Sequence, residues 1–214
     1  MKRSITPIGS LVLFALFLLV MLSTWLLIKP PTPPAELEGV LRPEYRLLAP
    51  FDLVDNNQQP FNRNNLQGKW SFVFFGYLSC PDVCPNTLHE LNSFWRLLKD
   101  ETGADPQDLQ IVFVSVDPQR DSLPRLGEYI GHFNREFIAA TADKRHIDNF
   151  AHQFGAGYVI EEETAPGQYL VAHTSAIFLV DPLGRSVATF SQPHYAATLL
   201  TQFQRITSYF GGAG

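Results

Sequence analysis

The sequence predicts an α/β sandwich with a central mixed sheet, preceded by one membrane-spanning helix. Three observations carry that prediction. Strand and helix patterns alternate along the chain, which is the order that places helices on the faces of a sheet. Two runs, WSFVFFGY at 70–77 and IVFVSV at 111–116, are almost continuously apolar, as strands buried on both faces are. The composition, 45% apolar with 17 Phe among 214 residues, supplies enough apolar side chain for one substantial core.

The elements follow in order. Residues 8–28 form 21 positions without a charge, and a helix of that length rises about 30 Å, the thickness of a bilayer's hydrocarbon. Lys2 and Arg3 precede the run, so the positive-inside rule keeps residues 1–7 in the cytoplasm and sends the rest of the chain across. The run exceeds the apolar stretch of a signal peptide, no small-x-small site closes it, and no cysteine lies near its end for lipidation. Seven preceding residues are too few for an Arg-rich mitochondrial presequence. The expected setting is a single-pass protein of the bacterial inner membrane with its C-terminal domain in the oxidising periplasm.

Residues 29–46 hold five prolines between Pro30 and Pro43 and read as a Pro-rich linker, since such runs favour polyproline II. Sixteen residues at about 3.1 Å each would reach on the order of 50 Å from the membrane. The domain is then expected over 47–214. Strands are predicted at 51–54, 70–77, 111–116, 137–140, 169–172, 176–180 and 186–190. Helices are predicted from Pro85, at 122–133 with Pro124 in the first turn, at 144–154 and at 195–209. Asn56–Pro60 and Asp181–Gly184 read as turns.

Charge narrows the function. Three basic residues, Lys2, Arg3 and Lys29, lie among the first thirty positions, which hold no acid, so the remainder sets 13 basic residues against 21 acidic ones. That excess argues against nucleic acid as a partner, because a phosphate backbone is held through surplus Lys and Arg. The two cysteines are too few for a four-thiolate zinc site or a disulfide-dense scaffold.

Both cysteines lie in Cys80-Pro81-Asp82-Val83-Cys84-Pro85, between the most apolar strand and a helix. Each precedes a proline and is biased away from the helical region, so the pair is expected in a bent loop with Pro85 near the first helical position. A thiol beside a helix N-terminus meets free N–H groups and the positive dipole end, which lowers its pKa. Two such thiols suit a redox disulfide or a soft-metal site. A merely stabilising disulfide would close a loop too short to constrain the unfolded chain much. Two thiolates leave a metal under-coordinated, which directs attention to the six histidines. His89 lies on the helix after the loop, His132, His146 and His152 on polar helix positions, and His194 reads as a surface residue at the last helix. His173 falls immediately before the apolar strand AIFLV, but spacing alone does not select it.

The segments FFGYLSCPDVCPNTL, VSVDPQRDS and AHTSAIFLVDPLGR, in that order, resemble the Sco/SenC family of membrane-anchored copper proteins. The similarity extends over most of residues 47–209. It implies a thioredoxin-like fold and a role in assembling the binuclear copper centre of cytochrome c oxidase. It also implies that Cys80, Cys84 and His173 hold copper, as Cu(I) or Cu(II), and that Asp117 supports the site. The implied partners are the copper-bearing subunit of the oxidase and, upstream, a periplasmic copper carrier or thiol reductant. Two departures mark this chain: Ala172 stands where the family often has Asp, and Ser79 where it often has His. The first removes a carboxylate that would orient the imidazole; neither removes a ligand.

The donor types agree with that resemblance, since Cu(I) prefers thiolates and Cu(II) accepts imidazole. Met1 and Met21 are the only methionines, which excludes a Met-rich carrier and an axial-Met blue-copper site in the domain. A thioredoxin-like disulfide reductase would carry two residues between its cysteines, not three, and a peroxiredoxin would not need a tight pair. The function expected is that of a metallochaperone. The alternative is a thiol–disulfide oxidoreductase using Cys80 and Cys84 as a redox pair to keep the oxidase's copper-site cysteines reduced. A sensor without transfer has no supporting feature.

Overall fold

The computed structural model describes residues 7–27, 33–103 and 108–211. Lys2, Arg3, Lys29 and Pro30, on which the predicted orientation and the start of the linker depend, lie outside the described residues. Pro7–Leu27 form a helix, α1. Its side chains are described only over residues 9–24, and among the described residues no helix is long and apolar enough to cross a membrane.

The linker is shorter than its prolines suggest. Ala35–Leu37 make a single 3-10 turn with Leu37 fully buried, and Leu41–Leu47 form a strand, β1. β1 lies at the edge of the sheet, where Pro43 removes no ladder bond that a neighbour needs, and its register shifts between Leu41 and Arg46. Apolar anchoring by Leu37, Val40, Leu41 and Tyr45 therefore outweighs the polyproline tendency.

Beyond β1 come β2 (Asp52–Asp55), β3 (Pro60–Asn62), a one-turn helix α2 (Arg63–Leu66) and β4 (Trp70–Gly76). Then follow α3 (Val83–Thr102), β5 (Leu109–Ser115), α4 (Leu123–Phe133), β6 (Ile138–Thr141) and α5 (Lys144–Phe154). The chain closes with β7 (Tyr158–Ile160), β8 (Val171–His173), β9 (Ile177–Val180), β10 (Arg185–Phe190) and α6 (Ala196–Gly211). Eight strands make one mixed sheet in the order β1-β10-β9-β4-β5-β6-β2-β3, with β4, β5 and β6 parallel and the remaining pairs antiparallel. This is the α/β sandwich with a central mixed sheet that the sequence predicts. β7 and β8 pair separately as a small antiparallel hairpin.

The central strands are apolar on both faces because each face has its own core. Phe72 and Phe74 of β4 face α3, α4 and α6, where the Phe72 ring lies 4.8 Å from Phe94 and 5.4 Å from Phe203. Val73 and Phe75 face α5, with Phe75 at 5.8 Å from Phe150 and 5.6 Å from Phe154. α5 spans the residues predicted for it; the Asp143 carboxylate caps its first turn by accepting the His146 N–H, and Gly155 closes the helix in the left-handed region.

Candidate metal centre

The C-terminal end of β4 sets the first half of the site. Gly76 leaves no room for a side chain, since a Cβ there would lie 2.7 Å from both Cys84 Sγ and the Phe113 ring. The chain then turns through Tyr77–Cys80 and enters α3 at Val83, two residues earlier than Pro85 suggests. Cys84 thus lies in the first helical turn rather than in a bent loop. Pro85 is accommodated because N–H groups of that turn have no helical partner to lose.

One of those free amides is used. Cys84 N–H donates to Cys80 Sγ at 3.4 Å. With the contacts of the Cys84 side chain, His173 and the Asp82 backbone, this holds the Cys80 thiol down at about 4 despite partial burial. Cys84 is fully buried, and its hydrogen bond to Cys80 together with burial pushes its thiol up. The two cysteines are free, with Cys80 the partly exposed sulfur and Cys84 the buried one.

The hairpin supplies the second half. β8 ends at His173, whose Nε2 lies 3.4 Å from Cys84 Sγ. His173 Nδ1 meets the Thr174 carbonyl at 3.1 Å. A carbonyl only accepts, so Nδ1 donates this bond, and it fixes the ring with Nε2 facing the thiols. The peptide carbonyl of the next residue takes over the orienting task of the carboxylate that Ala172 lacks. Phe74 and Tyr77 flank the imidazole edge-to-face, with ring centroids 6.1 and 5.9 Å away.

The ligand atoms of Cys80, Cys84 and His173 all lie within 4.8 Å of one another. Two soft sulfurs and one imidazole suit a copper ion in either oxidation state, and the set opens to a surface cleft lined by Tyr77, Cys80, Asp82, Leu170 and His173. Clefts of similar size elsewhere, one beside β1 and α6, bring no such donors together among the described residues.

Asp117 is not part of this convergence. Its carboxylate is fully buried, accepts Arg120 Nε at 2.5 Å and accepts the Tyr169 hydroxyl at 2.8 Å. The other histidines are elsewhere. His89, His132 and His152 are exposed, and His146 bonds Asp143 at 2.8 Å. His194 is not a surface residue: it is buried, its Nε2 donates to the Ser175 carbonyl at 2.9 Å, and burial lowers its pKa. The turn at residues 191–195 packs it beneath the loop that follows His173, which no local pattern reveals. Tyr77, Arg120, Tyr169 and Asp121 also escaped the sequence reading. Asp121 is buried and accepts Leu78 N–H at 3.0 Å and the Ser115 hydroxyl at 2.7 Å, tying the cysteine loop to β5.

Fold and site together define a thioredoxin-like domain that presents two thiols and an imidazole as a soft-metal cluster. The chain belongs to the SCO1/SenC family, whose model matches residues 40–208. A SCO2-like protein of Rickettsia prowazekii is 32% identical over 177 residues, covering 82% of each chain. Arabidopsis thaliana ScoI, solved with copper bound, superposes with a TM-score of 0.70 at 30% identity, covering 77% of this chain and 100% of that one. Yeast Sco1 with copper bound gives a TM-score of 0.70 at 31% identity, covering 76% of this chain and 90% of that one.

Proposed function

We propose that this protein binds one copper ion through Cys80, Cys84 and His173 and delivers it to the binuclear copper centre of cytochrome c oxidase during assembly. The observation that carries the reading is the convergence of two unpaired thiols and one oriented imidazole within 4.8 Å of one another. Copper is the cargo here. Solved relatives at about 30% identity hold the same metal on the same fold. The uncharged run at 8–28 supports an anchor in the bacterial inner membrane, and the basic residues before it support a domain on the periplasmic side.

A second reading has its own observation. Cys80 is a low-pKa thiol beside a second free thiol, the arrangement of an exchange-active pair. In that reading the pair reduces the oxidase's copper-site cysteines. The two uses exclude each other at any moment, because a Cys80–Cys84 disulfide, formed with loss of two electrons and two protons, has no thiolate left for copper.

His173→Ala separates them by removing a metal ligand and leaving both thiols. A strain carrying it should fail to assemble active oxidase when copper is scarce, although thiol–disulfide exchange persists in vitro. Normal assembly in that strain, alongside failure of Cys80→Ser, would establish the reductase reading instead.

A further inference from the structure

The hairpin carrying His173 is not a strand of the main sheet, so something other than ladder hydrogen bonds must hold it against the thiols. The connection runs through Arg120. Its Nε donates to Asp117 at 2.5 Å, and its Nη1 donates to the Tyr169 carbonyl at 2.9 Å and lies 3.4 Å from the Gly167 carbonyl. The guanidinium stacks on the Tyr169 ring at 3.5 Å from its centroid and lies 5.7 Å from that of Tyr77. Tyr169 returns its hydroxyl to the other Asp117 oxygen at 2.8 Å. Tyr77 completes the path, since its hydroxyl meets the Val171 backbone and its ring flanks His173.

We propose that Asp117, Arg120 and Tyr169 form a clamp that docks the β7–β8 hairpin onto the end of β5 and so sets where His173 meets the two thiols. Arg120 and Asp117 are positioning residues: neither belongs to the copper cluster, and both act through Tyr169, two residues before Val171 and four before His173. The copper part of this inference rests on the function proposed above; the docking of the hairpin does not. The geometry requires a planar, forked cation. A lysine at 120 would keep the charge beside buried Asp117 but could not bond Asp117 and the Tyr169 carbonyl together while stacking on the ring.

The test uses the full chain in detergent with Arg120→Lys and Tyr169→Phe, both milder than Arg120→Ala, which would strand a buried carboxylate. Amide exchange is followed by mass spectrometry over 157–162 and 170–176, where Glu161 N–H bonds the Leu170 carbonyl and Thr174 N–H bonds the Gly157 carbonyl. Both variants should exchange about tenfold faster there, the loss of roughly one charge-assisted hydrogen bond, with β4 and β5 as protected as before. In the Cu(II)-loaded variants the nitrogen coupling of His173 in electron paramagnetic resonance should weaken, while Cu(I) held by the thiols changes less than threefold.

Unchanged exchange and unchanged nitrogen coupling would overturn the clamp. Acceleration spread equally through β4 and β5 would overturn it too, because it marks a global loss of stability. Absence of copper-bound nitrogen in the unsubstituted protein would overturn the copper reading instead, and the exchange comparison would then decide the docking alone.

Discussion

Cys84 Sγ and His173 Nε2 lie 3.4 Å apart although 89 residues separate them in the chain. One sits in the first turn of the helix after β4, the other at the open end of a hairpin outside the main sheet, opposite Tyr158, and the fold brings them together only when both cores are formed. A soft-metal site of this kind is therefore a readout of the folded state.

Removing either sulfur should abolish tight Cu(I) binding. Changes to groups that merely orient a metal ligand cost roughly 10–100-fold in affinity, so loss of a ligand should cost at least that. Cys80→Ser and Cys84→Ser are expected to weaken Cu(I) beyond roughly 100-fold in competition with a chromophoric chelator. His173→Ala should affect Cu(II) more than Cu(I), because imidazole matters more to the harder ion.

The low value of the Cys80 thiol, about 4, fixes the pH dependence of its reactivity. A depressed pKa means that the thiolate is populated above that value and lost as pH falls through it. Alkylation of the apo protein at Cys80 by iodoacetamide should be nearly constant from pH 6 to pH 8, whereas an ordinary thiol with a pKa of about 8.5 would speed up nearly tenfold per unit over that range. A rate that climbs with the slope of an ordinary thiol would contradict the geometry around Cys80. Cys84, buried and pushed up, should stay unmodified throughout.

Gly76→Ala tests how tightly β4 meets the site. The added methyl would lie 2.7 Å from Cys84 Sγ and from the Phe113 ring. Overpacking of that kind costs about 1–3 kcal/mol, seen as a lowered urea midpoint. It should also weaken copper binding, since the atom displaced is itself a ligand.

The boundary of the domain can be tested by truncation. A fragment beginning at residue 35 retains Leu37 and β1, and one beginning at residue 48 loses both. The shorter fragment should be less stable by at least roughly 2–5 kcal/mol, the range for emptying one buried leucine site. Equal stability would restore the reading of residues 29–46 as linker throughout.

The parts of the molecule that could be read from sequence are those fixed by local chemistry. β4 and β5 announce themselves by continuous apolar runs, and α5 coincides with the helix predicted at 144–154. β1 is hidden because Pro43 and its neighbours read as spacer, while the burial of Leu37 that anchors it is a tertiary effect. β7 is hidden because three partly exposed residues carry no signal until β8 pairs with them. In the site, Cys80 and Cys84 declare themselves by spacing and position before a helix. His173 does not; family resemblance selected it from six histidines, and only the structure shows its Nε2 facing the thiols. Tyr169 was beyond reach because its links to Asp117 and Arg120 span 52 and 49 residues and depend on the hairpin's docking, and without them Arg120 reads as an ordinary surface cation.

X-ray absorption at the copper and sulfur edges of the Cu(I)-loaded full chain tests the central claim most directly. Two Cu–S bonds and one Cu–N bond are expected in the unsubstituted protein, one Cu–S bond fewer in Cys80→Ser, and loss of the Cu–N contribution in His173→Ala. Copper bound without any Cu–S contribution, or a spectrum unchanged when Cys80 and Cys84 are both replaced by Ser, would contradict it.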